Sequence, residues 1–155
     1  FAMNYDAGNL STYLYKELGG KLQLAVWDFN NGFDNYQWFR TETDVLHTVE
    51  NSWFKRLWQD ETFREHVCER YRQLRKTTLA DEHIAEKIAS YQEELGDAVD
   101  RNFKVWGYSF DEALLAGTSK DGTSRDIRSY EEAMKQLTDT IRERLAYLDK
   151  ELGGN

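Results

Sequence analysis

Two aspartates, each with amides close by, are the residues of this 155-residue chain best placed by type and spacing to do chemistry. Asp6 lies in the stretch NYDAGN and Asp28 in AVWDFNNGFDNY. Each follows or precedes an apolar, β-branched run, so each sits where a strand begins or ends. A carboxylate wedged between Trp27 and Phe29 costs free energy if it is buried, unless a turn, a salt bridge or a cation compensates it. Asp6, Asp28 and the amide of Asn9 between them would offer hard oxygen ligands. Magnesium favours such ligands, and it usually takes only one or two protein carboxylates beside a substrate's phosphates. The competing reading is that both aspartates merely stabilise their turns. Residue types alone leave the two readings open.

Other chemistry finds less support. His47, His66 and His83 are far apart and lack paired metal-ligand spacing. The single cysteine, Cys68, excludes an internal disulfide framework and a cysteine zinc site, and its helical context suits a small buried hydrophobe. No nucleophile elbow, phosphate loop or dinucleotide fingerprint is present.

The elements that must position the aspartates are legible from periodicity. TYLYKE, residues 12–17, suits a strand, and LQLAVW, residues 22–27, suits its return. Gly19 and Gly20 between them predict a tight hairpin turn. A hairpin brings its open ends together, so the turn holding Asp6 and the strand end holding Asp28 are expected to be neighbours. Asn30, Asn31, Gly32, Asp34 and Asn35 then mark an irregular loop.

The remainder reads as helix. A short amphipathic segment is expected over 49–58. Asp60 can cap a helix running to about Lys76, with Phe63, Val67, Tyr71 and Leu74 on its apolar face. One long helix is expected over 81–106, its stripe running from Ile84 through Ile88, Tyr91, Leu95, Val99 and Phe103 to Trp106. Ser129 and Glu132 form a capping-box pattern at the start of a last helix carrying Met134, Leu137, Ile141, Leu145, Leu148 and Leu152. The fold class is therefore α+β and mostly α, a hairpin packed on about four helices, in a single domain over 1–155. The stripes are core faces rather than cofactor boxes.

Composition narrows the partners. Twenty basic and 28 acidic residues give a net charge of −8, which disfavours nucleic acid. The excess acid would suit a cationic partner, or solubility alone. No apolar run approaches the roughly 20 residues of a membrane span.

The ordered set YLYKE…GKLQLAVWDFNNGFDNY, WFKRLWQDETFREHVCERYRQLRKTTL, RNFKVWGYSF and RSYEEAMKQLTDTIRERLAYL resembles the spore-coat protein H (CotH) kinase family across nearly the whole chain. The resemblance implies the C-lobe of an atypical protein-kinase-like fold. It also implies Mg (or Mn) and ATP as cofactors, and transfer of phosphate to Ser or Thr of a surface or coat protein. Asp28 matches the family's metal-binding aspartate and Asp6 its catalytic-loop aspartate. Asn9 and Asn30 are further metal-ligand candidates, and Trp27 is a neighbour either of the nucleotide or of the core. Asn30 departs from the family's more usual second acid and would coordinate more weakly. The resemblance places the nucleotide-binding lysine and phosphate-covering loop in an N-terminal lobe before Phe1. It therefore makes that lobe a partner and leaves the chain alone a poor ATP binder. It further implies a basic, Ser-rich protein substrate and an extracytoplasmic setting. Two alternatives stay beside it. One is a non-catalytic envelope module using Tyr36, Trp38 and Phe39 as a contact surface. The other is a kinase-like fold with different transfer chemistry.

Overall fold

The structure, a computed structural model, describes residues 1–4, 6–35, 40–47, 52–106, 127 and 129–154. A two-stranded antiparallel sheet comes first, β1 over Thr12–Tyr15 and β2 over Gln23–Val26, in the register Thr12↔Val26 to Tyr15↔Gln23. Among the described residues five α-helices follow: α1 Ser52–Trp58, α2 Glu61–Arg75, α3 Asp81–Leu95, α4 Ala98–Trp106 and α5 Tyr130–Leu152. The chain is thus a mostly helical α+β protein. None of the described helices is long and apolar enough to cross a membrane.

Three expectations need correction. The connection between the strands is wider than a tight hairpin, because pairing stops at Tyr15↔Gln23. Its reversal is the turn closed by Gly20 N donating to Glu17 O at 2.9 Å, with Gly19 at φ 74°. The long third helix is two helices, so five stand among the described residues where about four are expected. Gly96 adopts φ 40° and ends α3, since a glycine loses nothing by leaving helical geometry. The hairpin also does not pack through its faces on the helices: Tyr13, Leu14, Tyr15, Leu24 and Val26 are all exposed among the described residues.

The core lies between α2 and α5. Tyr71 packs on Leu148 and Leu152, with Leu46, Trp58, Cys68 and Leu79 closing around them. The predicted caps are present: Asp60 Oδ1 accepts from Phe63 N at 2.8 Å and Ser129 Oγ from Glu132 N at 3.0 Å. At the edge of this core the Tyr71 hydroxyl donates to Asp149 Oδ1 at 2.6 Å. Arg75 grips the same carboxylate with two bonds, Nε to Oδ1 at 2.9 Å and Nη2 to Oδ2 at 3.0 Å. Its Nη1 reaches Asp81 Oδ1 at 2.8 Å, so one guanidinium ties α2, α3 and α5 together. Burial and the Asp149 carboxylate together raise the Tyr71 pKa and keep its hydroxyl protonated.

Loop residues are drawn onto α5 by a second cation, this one buried. Arg144, 4% exposed, donates from Nη1 to the carbonyls of Thr43 at 2.8 Å and Val45 at 2.5 Å. Asp34 does the converse from the loop side. Its buried carboxylate accepts from Thr41 N at 2.6 Å and from Gln136 Nε2 of α5 at 3.5 Å. Both ties fix the segment that leaves the hairpin onto the helical layer.

Candidate functional site

Asp6 opens a turn that is closed on its own backbone. The Asp6 carbonyl accepts from Asn9 N and Leu10 N, both at 3.0 Å, and from Ser11 N at 3.4 Å. Gly8, at φ 85°, allows that reversal. Both of its peptide groups are held: Gly8 N donates to Thr12 Oγ1 at 2.8 Å, and Gly8 O accepts from Trp53 Nε1 of α1 at 3.1 Å. The Asp6 side chain receives no comparable support. Its Oδ1 is buried and has no hydrogen-bond partner.

Asp28 follows β2 and precedes a short 3-10 turn over Phe29–Asn31. Its backbone is left-handed, φ 52° and ψ 59°, a conformation that asparagine and aspartate tolerate better than most residues. The carboxylate is exposed and makes no capping bond to the 3-10 turn. The expected buried charge between two aromatics is therefore not what forms. The turn-cap reading also fails for this residue, because the side chain caps nothing.

The predicted convergence of strand ends is present. Trp27 N donates to Ser11 O at 3.2 Å, which carries the ladder one step past Thr12↔Val26 towards both aspartates. Asn4, 3% exposed, spans the gap: its carbonyl accepts from Ala7 N at 3.2 Å, and its Nδ2 lies 3.5 Å from Asp28 O. Phe33 N donates to Ala2 O at 2.7 Å and so lays the loop after Asp28 along the segment before Asp6.

The other predicted site residues stand as follows. Trp27 is 63% exposed and meets Tyr13 edge-on at 5.9 Å, so it belongs to no core. Asn9 is exposed on the Asp6 turn. Asn30 is exposed in the 3-10 turn, where its carbonyl accepts from Asn35 Nδ2 at 2.8 Å. Tyr36, Trp38 and Phe39 lie outside the described residues. His66 and His83 are exposed, and His47 places Nε2 2.7 Å from Glu42 O. Sequence reasoning missed Asn4, Thr12 and Trp53. Asn4 and Thr12 flank the Asp6 turn and carry side chains that commonly bond nearby backbone. The Trp53 bond spans 45 residues, and no local rule announces it.

The donor set is all oxygen, as a hard divalent cation requires. No cluster of three or more His, Cys, Asp or Glu occurs among the described residues. Two carboxylates with amides still match magnesium, which keeps waters and phosphate oxygens in its remaining positions. Asp28 is exposed and makes no capping bond, whereas Asp6 has one oxygen buried. Cavities of about 420 and 480 Å³ lie elsewhere, the first between α3 and α5 and the second among α1, α2 and α5. Neither is lined by an aspartate of the hairpin end.

Comparison with known proteins gives one match. Searches of curated proteins and of solved structures find no counterpart. The family model described as "CotH kinase protein" matches residues 1–148, which include both aspartates, the hairpin between them and almost all of α5. The chain belongs to the CotH kinase family.

Proposed function

We propose that this chain is the C-lobe-like part of an atypical protein kinase that transfers the γ-phosphoryl group of ATP to Ser or Thr of a surface or coat protein. One observation carries the reading: the segments that hold Asp6, with a buried unpartnered oxygen, and Asp28, with an exposed carboxylate that caps nothing, are bonded side by side at the open end of one hairpin. Asp28 holds the divalent ion, magnesium or manganese, with Asn9 and Asn30 as weaker amide ligands. Such an ion, when bound, neutralises phosphate charge, and phosphoryl transfer depends mainly on that and on positioning. Asp6 faces the acceptor hydroxyl and takes its proton. The acceptor oxygen bonds to the γ-phosphorus, the bond to the bridging oxygen breaks, and ADP leaves.

The hairpin supports the same reading. Register puts Tyr13, Tyr15, Ala25 and Trp27 on one face and Thr12, Leu14, Leu24 and Val26 on the other. Both faces are largely exposed, and an isolated two-stranded hairpin is only marginally stable in water. An N-terminal lobe with its nucleotide would cover such surface, and the exposed indole of Trp27 beside Asp28 suits a neighbour of the base. The acidity of the chain, net −8, suits a basic, Ser-rich substrate.

The test is labelling with ATP and magnesium, on this chain and on a longer protein that adds an N-terminal lobe. Asp6→Ala and Asp28→Ala are each expected to abolish transfer, and the product mass to show phosphate rather than nucleotide. Undiminished transfer in either variant removes that residue from the mechanism. The exposed aromatic face of the hairpin also favours a second reading, a non-catalytic envelope module. A thermal shift with millimolar Mg-ATP separates the two, since a live site is stabilised by mass action.

A further inference from the structure

The unpartnered oxygen of Asp6 raises the question of what aims this carboxylate. Asp6 Oδ1 has no hydrogen-bond partner among the described residues, so the position of this oxygen depends on the backbone from which the side chain projects. That backbone is the 6–11 turn, in which three amides converge on the Asp6 carbonyl. The turn passes through Gly8 at φ 85°, and a glycine, having no Cβ, is free to swing unless both of its peptide groups are held. Thr12 holds the amide and Trp53 holds the carbonyl, from opposite directions and from different elements.

We infer that Thr12 and Trp53 are a pair of positioning residues that clamp Gly8 and thereby aim Asp6, an inference that rests on the role proposed above for Asp6. Thr12 begins β1, so its bond ties the turn to the hairpin that also carries Asp28. Trp53 lies in α1, so its bond ties the turn to the helical layer. Its indole is stacked on Phe54 with centroids 4.7 Å apart, which fixes the direction of the N–H. Loss of either bond lets the turn rock about the other. Misplacement by about 1 Å costs about 100-fold where a reaction depends on alignment. Neither residue touches the reacting atoms. The effect therefore belongs in kcat, with the KM for ATP unchanged.

Two nearly isosteric substitutions each delete a single bond: Thr12→Val removes the hydroxyl, and Trp53→Phe removes the indole N–H while leaving a ring against Phe54. Each is expected to lower kcat for phosphoryl transfer about 10-fold or more at unchanged KM for ATP. The double variant should fall less than the product of the two losses, because both act through one glycine. Thr12→Ser, which keeps the donor's partner, should restore the rate. Amide hydrogen exchange gives a readout independent of activity: Leu10 and Ser11 should exchange faster in Thr12→Val and in Trp53→Phe. Wild-type kcat in both single variants overturns the inference, as does unchanged exchange at Leu10 and Ser11. If wild type transfers no phosphate, the proposed function fails while the exchange result still decides the clamp.

Discussion

Replacing Asp28 by glycine and by alanine separates the backbone of this residue from its carboxylate. Asp28 adopts φ 52° and ψ 59°, is exposed, and makes no capping bond. A left-handed L-residue costs roughly 1–2 kcal/mol, and aspartate offsets part of this only when its side chain bonds locally. Glycine removes that strain but loses roughly 0.5–1 kcal/mol more conformational freedom on folding. The two effects nearly cancel, so Asp28→Gly should match wild type within about 0.5 kcal/mol. Alanine keeps the same uncompensated strain as the aspartate and should match wild type, below glycine by at most about 0.5 kcal/mol. For a chain of this size that gap separates the melting temperatures of the two variants by at most about 1–2 °C.

The assay is thermal and urea unfolding of wild type, Asp28→Gly, Asp28→Ala and Asp28→Asn, followed by circular dichroism. The expected result is that wild type, asparagine and alanine melt together, with glycine level with them or slightly above. In a longer protein that adds an N-terminal lobe, all three variants should lose the stabilisation that Mg-ATP gives the wild-type site, whatever their own stability. If Asp28→Gly melts below Asp28→Ala the left-handed backbone carries no such strain, and if both lose more than about 1.5 kcal/mol against wild type the carboxylate supports the fold. The reasoning would then be refuted, because a structural aspartate need not be a ligand.

Two further outcomes follow from the helical layer. Burial pushes the Asp149 carboxyl up, but the paired bonds from Arg75 and the bond from Tyr71 outweigh it and hold the group below its usual range. Its folded value is depressed, so its contribution to stability is present above the unfolded value of about 3.9 and fades as pH falls through the folded one. Asp149→Asn should therefore lower the urea midpoint at pH 7, and the difference from wild type should shrink towards pH 3. Leu148 is 3% exposed and packs on Tyr71 and Leu152, so Leu148→Ala should cost about 2–4 kcal/mol, measured by urea unfolding.

Most of the helical layer was legible because its determinants are local or periodic. The stripe on α5 continues through Ile141, Leu145, Leu148 and Leu152, and these are the residues the core buries. Asp60 and Ser129 cap as their types predict. The error at Gly96 came from reading a continuous apolar stripe as a continuous helix. Ile84 to Phe103 keeps helical spacing across the break, and only the glycine marks it. The wider hairpin connection has a similar origin. Gly19 does take a positive φ, yet pairing stops short of it, because strand length depends on what the hairpin packs against.

At the site, the convergence of Asp6 and Asp28 was legible because antiparallel pairing forces the open ends of a hairpin together. What aims each aspartate was not. A reader of residue types expects a carboxylate between Trp27 and Phe29 to be buried and to need a counter-charge. The left-handed turn at Asp28 instead leaves its carboxylate in solvent, so the cost falls on the backbone rather than on desolvation. For Asp6 the reverse holds: an oxygen is buried without a partner, while the backbone beneath it is bonded from three directions. Thus one carboxylate is strained and open, and the other is supported and unsatisfied. Neither arrangement serves the stability of the fold, and each leaves an acceptor uncommitted at the same end of one hairpin. That pairing is the physical basis of the function proposed for this end of the molecule, and neither of the two helical cavities is lined by either aspartate.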